Sequence, residues 1–285
     1  MTKSCIFLLT TAANPAIIWS IFEKKGLEIM KTIKKVGLFL LCALMLVGCF
    51  AGCGEKKDAG EKTWIIAMDT VFKPFEYTDK DNNFVGIDVD IMKAVSEDQG
   101  FKCELKSLGW DAAIAACKAK QADAMIAGAS ITEKRKSEGW IFSDSYYTAT
   151  QCMAVKEGSD IKSFDDLKGK TVAVKTGTMG ETYAKELVEK YGFTITNFED
   201  SPTMYQAVVG GQAVACFEDT PIMASSIKDD GYAMKIVEGS ENEGAGYGVA
   251  VFSSDKQEFL DMFNKGLANI KASGKYDEII KKYLG

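Results

Sequence analysis

This sequence predicts an α/β protein of two similar lobes, each a mostly parallel sheet flanked by helices, and three observations carry that reading. From Lys62 onward, short apolar runs of strand length alternate with amphipathic runs of helix length. The alternation occurs twice, once on each side of Tyr146-Tyr147, and both passages place a similar phrase at a helix-to-strand transition, Gln121-Ala-Asp-Ala124 and Gln212-Ala-Val-Ala215. At 285 residues, 47 % hydrophobic and 26 % charged, the chain is also long enough for two modest cores.

The first 53 residues read as a leader. Met30-Lys-Thr-Ile-Lys-Lys35 is a basic segment and Val36 to Val47 an apolar core of signal-peptide length, after which a small residue precedes a cysteine. That arrangement resembles a bacterial lipoprotein signal starting at Met30. Leu46-Val-Gly-Cys49 fits the cleavage formula more closely, whereas Phe50-Ala-Gly-Cys53 is followed by the polar run Gly54-Glu-Lys-Lys-Asp58. Cys53 is the expected lipidation site and Cys49 the alternative. The apolar run is shorter than the ~20 residues a membrane-spanning helix needs. Residues 1–29 fall outside this scheme, and residues 54–62 read as a flexible tether.

The first unit opens with the strand Trp64 to Met68. Asp88 is expected to cap a helix with Val89, Met92 and Val95 on its apolar face, stopped by Gly100. Phe101 to Leu105 is the next strand, Asp111 to Ala119 a helix with Ile114 and Cys117 inward, and Ala122 to Ala127 a third strand ending at Gly128. Thr132 is placed to cap the polar helix after it. The second unit repeats the plan with a strand at Thr171 to Val174, a helix from Glu181 to Tyr191 stopped by Gly192, and a strand at Thr194 to Phe198. A helix from Met204 to Val209, a strand at Ala213 to Phe217, and Pro221 in a first helical turn complete it.

Composition narrows the chemistry. Net charge is −6, and beyond residue 53 there are 28 basic against 38 acidic residues, which argues against a nucleic-acid partner. There is no histidine, and Cys103, Cys117, Cys152 and Cys216 stand singly, so a structural metal and a Cys–His nucleophile are both poorly supported. A Cys103–Cys117 disulfide remains an open alternative. No cofactor is expected.

Arg135 is the only arginine among 34 basic residues. A guanidinium grips a carboxylate through two parallel hydrogen bonds, a geometry lysine does not reproduce. Its place after a strand, a glycine loop and a capped helix start suits an anion. Open parallel sheets bind ligands beyond the carboxyl ends of their strands. Those ends present Asp69, Gly109-Trp110 and Gly128 to Ser130 in the first unit, and Lys175-Thr-Gly-Thr178 and Glu218-Asp219 in the second. The set suits a small, zwitterionic, partly apolar ligand held between two lobes.

Five segments carry a resemblance: Phe72-Lys-Pro-Phe-Glu-Tyr77, Val85-Gly-Ile-Asp-Val-Asp90, Ala127-Gly-Ala-Ser-Ile-Thr-Glu-Lys-Arg135, Phe142-Ser-Asp-Ser-Tyr-Tyr147 and Gly274-Lys-Tyr-Asp-Glu-Ile279. Together they resemble the polar amino-acid substrate-binding proteins of ABC importers, solute-binding protein family 3, over nearly all of residues 63–285. Glu133 departs from the family pattern, where many members have proline. The resemblance implies a two-lobed periplasmic-binding-protein-like (type II) fold. Lobe 1 would comprise residues 63–147 and 249–285 and lobe 2 residues 151–245, with hinge strands at 147–151 and 246–249.

By the same resemblance, Arg135 and the Ser130 backbone hold an α-carboxylate, Asp219 accepts from the α-ammonium, and Phe72 and Trp110 sandwich the aliphatic part. Asp69 and Lys175 face the ligand's side chain, with Ala127, Gly128 and Thr178 completing the ligand-facing set. An amide satisfies an Asp and a Lys at once, so glutamine is favoured. Glu218, where some glutamine-binding relatives have histidine, leaves asparagine, histidine or a basic amino acid open. The implied partners are the membrane subunits of an importer, with a monomer tethered by lipid to the outer face of a bacterial cell membrane.

Two other classes are weaker. Dehydratases occur among proteins resembling this fold, and Glu218 beside Asp219 would offer a general acid, but no activated nucleophile or metal set accompanies them. Gly169-Lys-Thr171 looks like the end of a phosphate loop, yet Phe164 stands where that motif requires glycine. A ligand-sensing receptor domain would carry further membrane or signalling segments.

Overall fold

The computed structural model describes residues 62–285; the leader, both candidate lipidation cysteines and nearly all of the tether lie outside the described residues. The chain enters at β1 (Thr63–Met68), passes through the short strands β2 (Val71–Phe72), β3 (Glu76–Thr78) and β4 (Phe84–Val85), and enters helix α1 (Ile87–Gln99). Next come β5 (Lys102–Ser107), α2 (Trp110–Lys118), β6 (Ala124–Met125), the five-residue α3 (Glu133–Ser137) and β7 (Ile141–Phe142). Strand β8 (Tyr147–Ala149) leads into the second lobe. That lobe holds β9 (Gln151–Lys156), β10 (Thr171–Lys175), α4 (Met179–Tyr191), β11 (Thr194–Phe198), α5 (Ser201–Val209), β12 (Ala215–Asp219), α6 (Thr220–Lys228) and β13 (Met234–Ile236). Strand β14 (Ala245–Tyr247) returns the chain to the first lobe, which closes with β15 (Ala250–Val251), α7 (Gln257–Ala272) and α8 (Lys275–Leu284).

Each lobe is built on a five-stranded sheet, ordered β5-β1-β6-β15-β7 in the first and β11-β10-β12-β9-β13 in the second. The βαβ passages give parallel pairs, β1 with β5 and β6, and β10 with β11 and β12. The strands adjoining the crossings, β15 and β9, pair antiparallel. Strand parity decides what each face packs against. Trp64, Ile66 and Met68 pack with Val95 of α1 and Phe263 of α7, while Ala67 and Met125 face Ala113 and Cys117 of α2. In the second lobe Val172, Val174 and Phe217 pack with Ala184 of α4, and Ala173 and Cys216 with Met204 and Val208 of α5.

Three sequence readings need correction. Asp88 does not cap α1. Gly86, with φ 140°, is the capping position and lies so close to Phe75 that a Cβ would sit 2.0 Å from the Phe75 carbonyl oxygen, so Asp88 falls inside the first turn and is buried. Cys103 and Cys117 are free thiols on opposite faces of the first sheet, Cys103 against the α1 side and Cys117 in the α2 cluster. Strand β6 is also shorter than the Ala122 to Ala127 reading, because only Ala124 and Met125 lie in the ladder with β1.

The lobes are joined by β8 and β14, which pair antiparallel with Tyr147 opposite Tyr247. Among the described residues, no helix is long and apolar enough to cross a membrane.

Candidate ligand-binding site

The ends of β1, β2, β6, β10 and β12 meet between the lobes. Phe72, Trp110, Ala127, Gly128, Ser130 and Arg135 of the first lobe and Lys175, Thr178, Met179, Glu218 and Asp219 of the second line one enclosed cleft. Asp69 joins them through Lys175, whose Nζ is 2.5 Å from Asp69 Oδ2. The sequence-derived residues thus converge on one place. Met179 is an addition, presented by the first turn of α4, which Thr178 caps by accepting from the Glu181 N–H.

Arg135 is buried because the short helix carrying it, capped by Thr132, turns its side chain inward. The guanidinium carbon lies 5.1 Å from the ring centroids of both Trp110 and Trp140, within cation–π range of each. Nη1 donates to the Ser130 carbonyl at 2.9 Å, and Nη2 crosses the cleft to the Gly177 carbonyl at 3.2 Å. Burial lowers its pKa to about 10, opposed chiefly by the charge of Asp219, so it stays cationic at neutral pH.

Asp219, at the end of β12, accepts from Gln151 Nε2 at 2.7 Å and from the Tyr247 hydroxyl of the connecting ribbon. Burial and then the charge of Glu218 raise its carboxyl to about 6, against the hydrogen bonds from Tyr247 and Gln151 and the charge of Arg135. Each carboxylate oxygen has two lone pairs, so Asp219 keeps acceptor capacity for an ammonium. Glu218 is spent within its own lobe, accepting from Ser201 Oγ at 2.7 Å, the Tyr205 hydroxyl at 2.9 Å and the Asp219 N–H at 3.0 Å.

Burial depresses the Lys175 ammonium, but Asp69, with smaller help from Glu218 and Glu76, more than offsets this and leaves its pKa raised. Among the described residues, the Trp110 indole N–H is buried in the cleft without an acceptor. Gly128 has a different local role from a free donor. Its N–H is held by Asp88 Oδ2 at 3.0 Å, and with φ +56° and a Cβ position 2.4 Å from Phe72 Cε1, only glycine lets the Phe72 ring close over the loop.

The cleft volume is about 20 Å³, room for about one water. An organic ligand enters only if the lobes part, which breaks contacts that include Lys175 with Asp69, Arg135 with the Gly177 carbonyl, and Lys73 with Asp230 at 2.8 Å on the rim. Tyr247, Gln151 and Trp140 were not legible as site residues. They act through Asp219 and Arg135 and carry no motif of their own. Among the described residues no group of three His, Cys, Asp or Glu side chains forms a metal site.

The chain is similar to proteins of known role. The family model described as bacterial extracellular solute-binding proteins, family 3, matches residues 64–285. The arginine-binding extracellular protein ArtP of Bacillus subtilis (strain 168) is 32 % identical over 254 residues, covering 88 % of this chain and 98 % of that protein. An ancestral arginine-binding protein, solved with arginine and also with glutamine, aligns with TM-score 0.72 and 34 % identity over 78 % of this chain and 98 % of its own. The second substrate-binding domain of Lactococcus lactis GlnP in its open conformation is more alike in sequence, 37 % over 81 % of this chain and 97 % of its own. Its TM-score is nevertheless lower, 0.56. The arrangement here is therefore nearer to the ligand-bound relatives than to the open one. By its sequence over residues 64–285 and by its fold, the chain belongs to the bacterial extracellular solute-binding proteins, family 3.

Proposed function

We propose that this protein captures a free polar L-amino acid between its lobes, with glutamine the ligand its cleft fits best, and hands it to the membrane subunits of an ABC importer. The observation that carries the choice is the buried Lys175–Asp69 pair spanning the cleft. A carboxamide inserted between them donates its NH₂ to Asp69 and accepts from Lys175 through its carbonyl, so neither charge is left unpaired. A cationic side chain meets Lys175, and an anionic one meets Asp69, each at a cost in a site closed to water.

The remaining roles follow from charge and geometry. Arg135, held beside two indoles, takes the α-carboxylate, and Trp110 lines the same cleft. Asp219 takes the α-ammonium, and Phe72 and Trp110 cover the aliphatic chain. Arg135 and Asp219 stand on different lobes, so an amino acid binding both favours the closed state by contact. This is capture without chemistry, in keeping with relatives named as binding proteins. The lipoprotein-like leader fits a monomer tethered through Cys53, or Cys49, to the outer face of the membrane.

A basic amino acid is the second reading. Glu218 adds a carboxylate beside Lys175, and the matched relatives include arginine-binding proteins. Calorimetric titration of refolded residues 54–285 with a panel of free amino acids decides between them. Tight binding of glutamine supports the first reading, and tight binding of arginine or lysine with weak glutamine binding replaces it with the second. No heat from any amino acid overturns both.

A further inference from the structure

Directly beneath the Gly128 loop lie two acids that the capture mechanism leaves unused. Glu76, on β3, and Asp88, in the first turn of α1, are both 0 % exposed. The close approach of Gly86 to Phe75 brings them together, and the Asp88 N–H donates to the Phe75 carbonyl at 2.9 Å. Asp88 Oδ2 accepts from the Tyr146 hydroxyl at 2.8 Å and from the Gly128 N–H at 3.0 Å. Among the described residues, Asp88 Oδ1 and both carboxyl oxygens of Glu76 have no donor. Three buried acceptor oxygens on neighbouring carboxyl groups are a costly arrangement, and one proton between them removes most of that cost.

We propose that Glu76 and Asp88 hold one proton between them, and that this shared proton positions the Gly128 loop, so that ligand capture weakens when the pair loses it. With the proton, Glu76 donates to Asp88 and leaves one negative charge, which stays on the oxygen that clamps Gly128 and Tyr146. Once the proton has passed to solvent, two buried carboxylates repel each other. Asp88 is driven from the clamp, and Gly128 loses the contact that sets the loop under Phe72.

The charged and titratable groups facing the pair are Tyr146 beside both acids, Asp69 and Lys175 of the cleft beside Glu76, and Tyr276 of α8 beside Asp88. Asp69 adds to the repulsion on Glu76 and Lys175 relieves it, so the side-chain end of the cleft and the pair sense one another. Burial, then the charges of Asp88 and Asp69, hold the Glu76 carboxyl well above the usual range, and burial raises Asp88 to about 6. Glu76 acts here as a positioning residue that does not touch the ligand.

Two measurements test this, and the second rests on the amino-acid reading of the cleft. The first is the infrared carbonyl stretch of the purified protein in D₂O at neutral pH. A protonated-carboxyl band that is lost in Glu76→Gln, or in Asp88→Asn should the first variant not fold, is expected. Absence of that band from the wild type overturns the proposal, whatever ligand the cleft takes. The second is the Kd for L-glutamine from about pH 6 to about pH 9. The ratio of wild-type to Glu76→Gln values is expected to rise about tenfold, the factor for each unit by which capture moves the pair's titration. The glutamine side-chain amide supplies the donor at every pH, so a ratio that stays flat overturns the positioning role even with the band present. If glutamine gives no heat, the same ratio is read with whichever amino acid the calorimetric panel identifies.

Discussion

Lys175 and Asp69 lie 106 positions apart, on opposite lobes, and meet at 2.5 Å with both side chains all but sealed from solvent. This pair bridges the two halves of the cleft, and its replacement tests specificity and closure together. In Lys175→Met, glutamine binding is expected to weaken by on the order of 1–3 kcal/mol, the cost of leaving a buried carbonyl without its donor. Asp69, freed of its internal cation, should then admit arginine more readily. Calorimetry with both amino acids reads the two changes, and parallel losses for both would remove the specificity argument.

Arg135→Lys keeps the charge and discards the fork. The guanidinium lies beside Trp110 and Trp140 and donates to two carbonyls at once, a fork that a compact ammonium does not reproduce. Amino-acid binding is expected to fall by on the order of 3–5 kcal/mol, since a buried carboxylate is left poorly paired. An unchanged Kd would remove Arg135 from the site.

Lys73 tests closure away from the cleft. Its bond to Asp230 crosses the lobes on a partly exposed rim, with side chains 25 % and 38 % accessible. Lys73→Ala should therefore weaken ligand binding by no more than about 1 kcal/mol, with a greater share of open molecules in small-angle scattering. A larger loss would mean that this rim pair, and not the buried one, governs closure.

Gly128→Ala should be far more damaging than its size suggests. The added methyl would meet Phe72 Cε1 at 2.4 Å on a backbone with φ +56°. A loss of about 1–3 kcal/mol of stability, with weaker ligand binding, is expected on thermal and calorimetric measurement.

The pH dependence of stability should run against the usual carboxylate trend. Asp88 and Asp219, both raised to about 6 principally by burial, and Glu76, also raised, bind protons more tightly folded than unfolded. Their contribution is complete below the unfolded carboxylate range and is lost as pH climbs through about 6 and beyond. The Tm should decline from about pH 5 to about pH 8, and less steeply in Glu76→Gln. A Tm that rises over this interval would show that these acids are ionised in the folded protein without penalty.

Much of this was legible because burial imprints period on sequence. The βαβ passages showed through strand parity and helix stops, and Arg135 stood out as a lone arginine behind the Thr132 cap. What stayed hidden depends on distant approach. An Asp ahead of an apolar run reads as a helix cap, and only the contact of Gly86 with Phe75 shows that α1 starts earlier and draws Asp88 under Gly128. The cysteines show the reverse. Cys103 pairs in register with Trp64 and so lies on the α1 side of the sheet, which strand parity alone would have used to exclude a bond to Cys117. The Asp69–Lys175 contact exists only when the lobes are together, and no local pattern encodes it.

The route of the chain through the two lobes also fixes when each is able to fold. The second sheet draws all its strands from one continuous stretch, β9 to β13, whereas the first needs β15 between β6 and β7, and α1 needs α7 against it. As the polypeptide emerges from the ribosome, the later-made lobe therefore has its whole core available first. The earlier-made lobe waits, with the inner faces of β1 and α1 uncovered, until β15 and α7 arrive, a long-range closure that slows folding. Truncation near the C-terminus should accordingly expose the first lobe and spare the second.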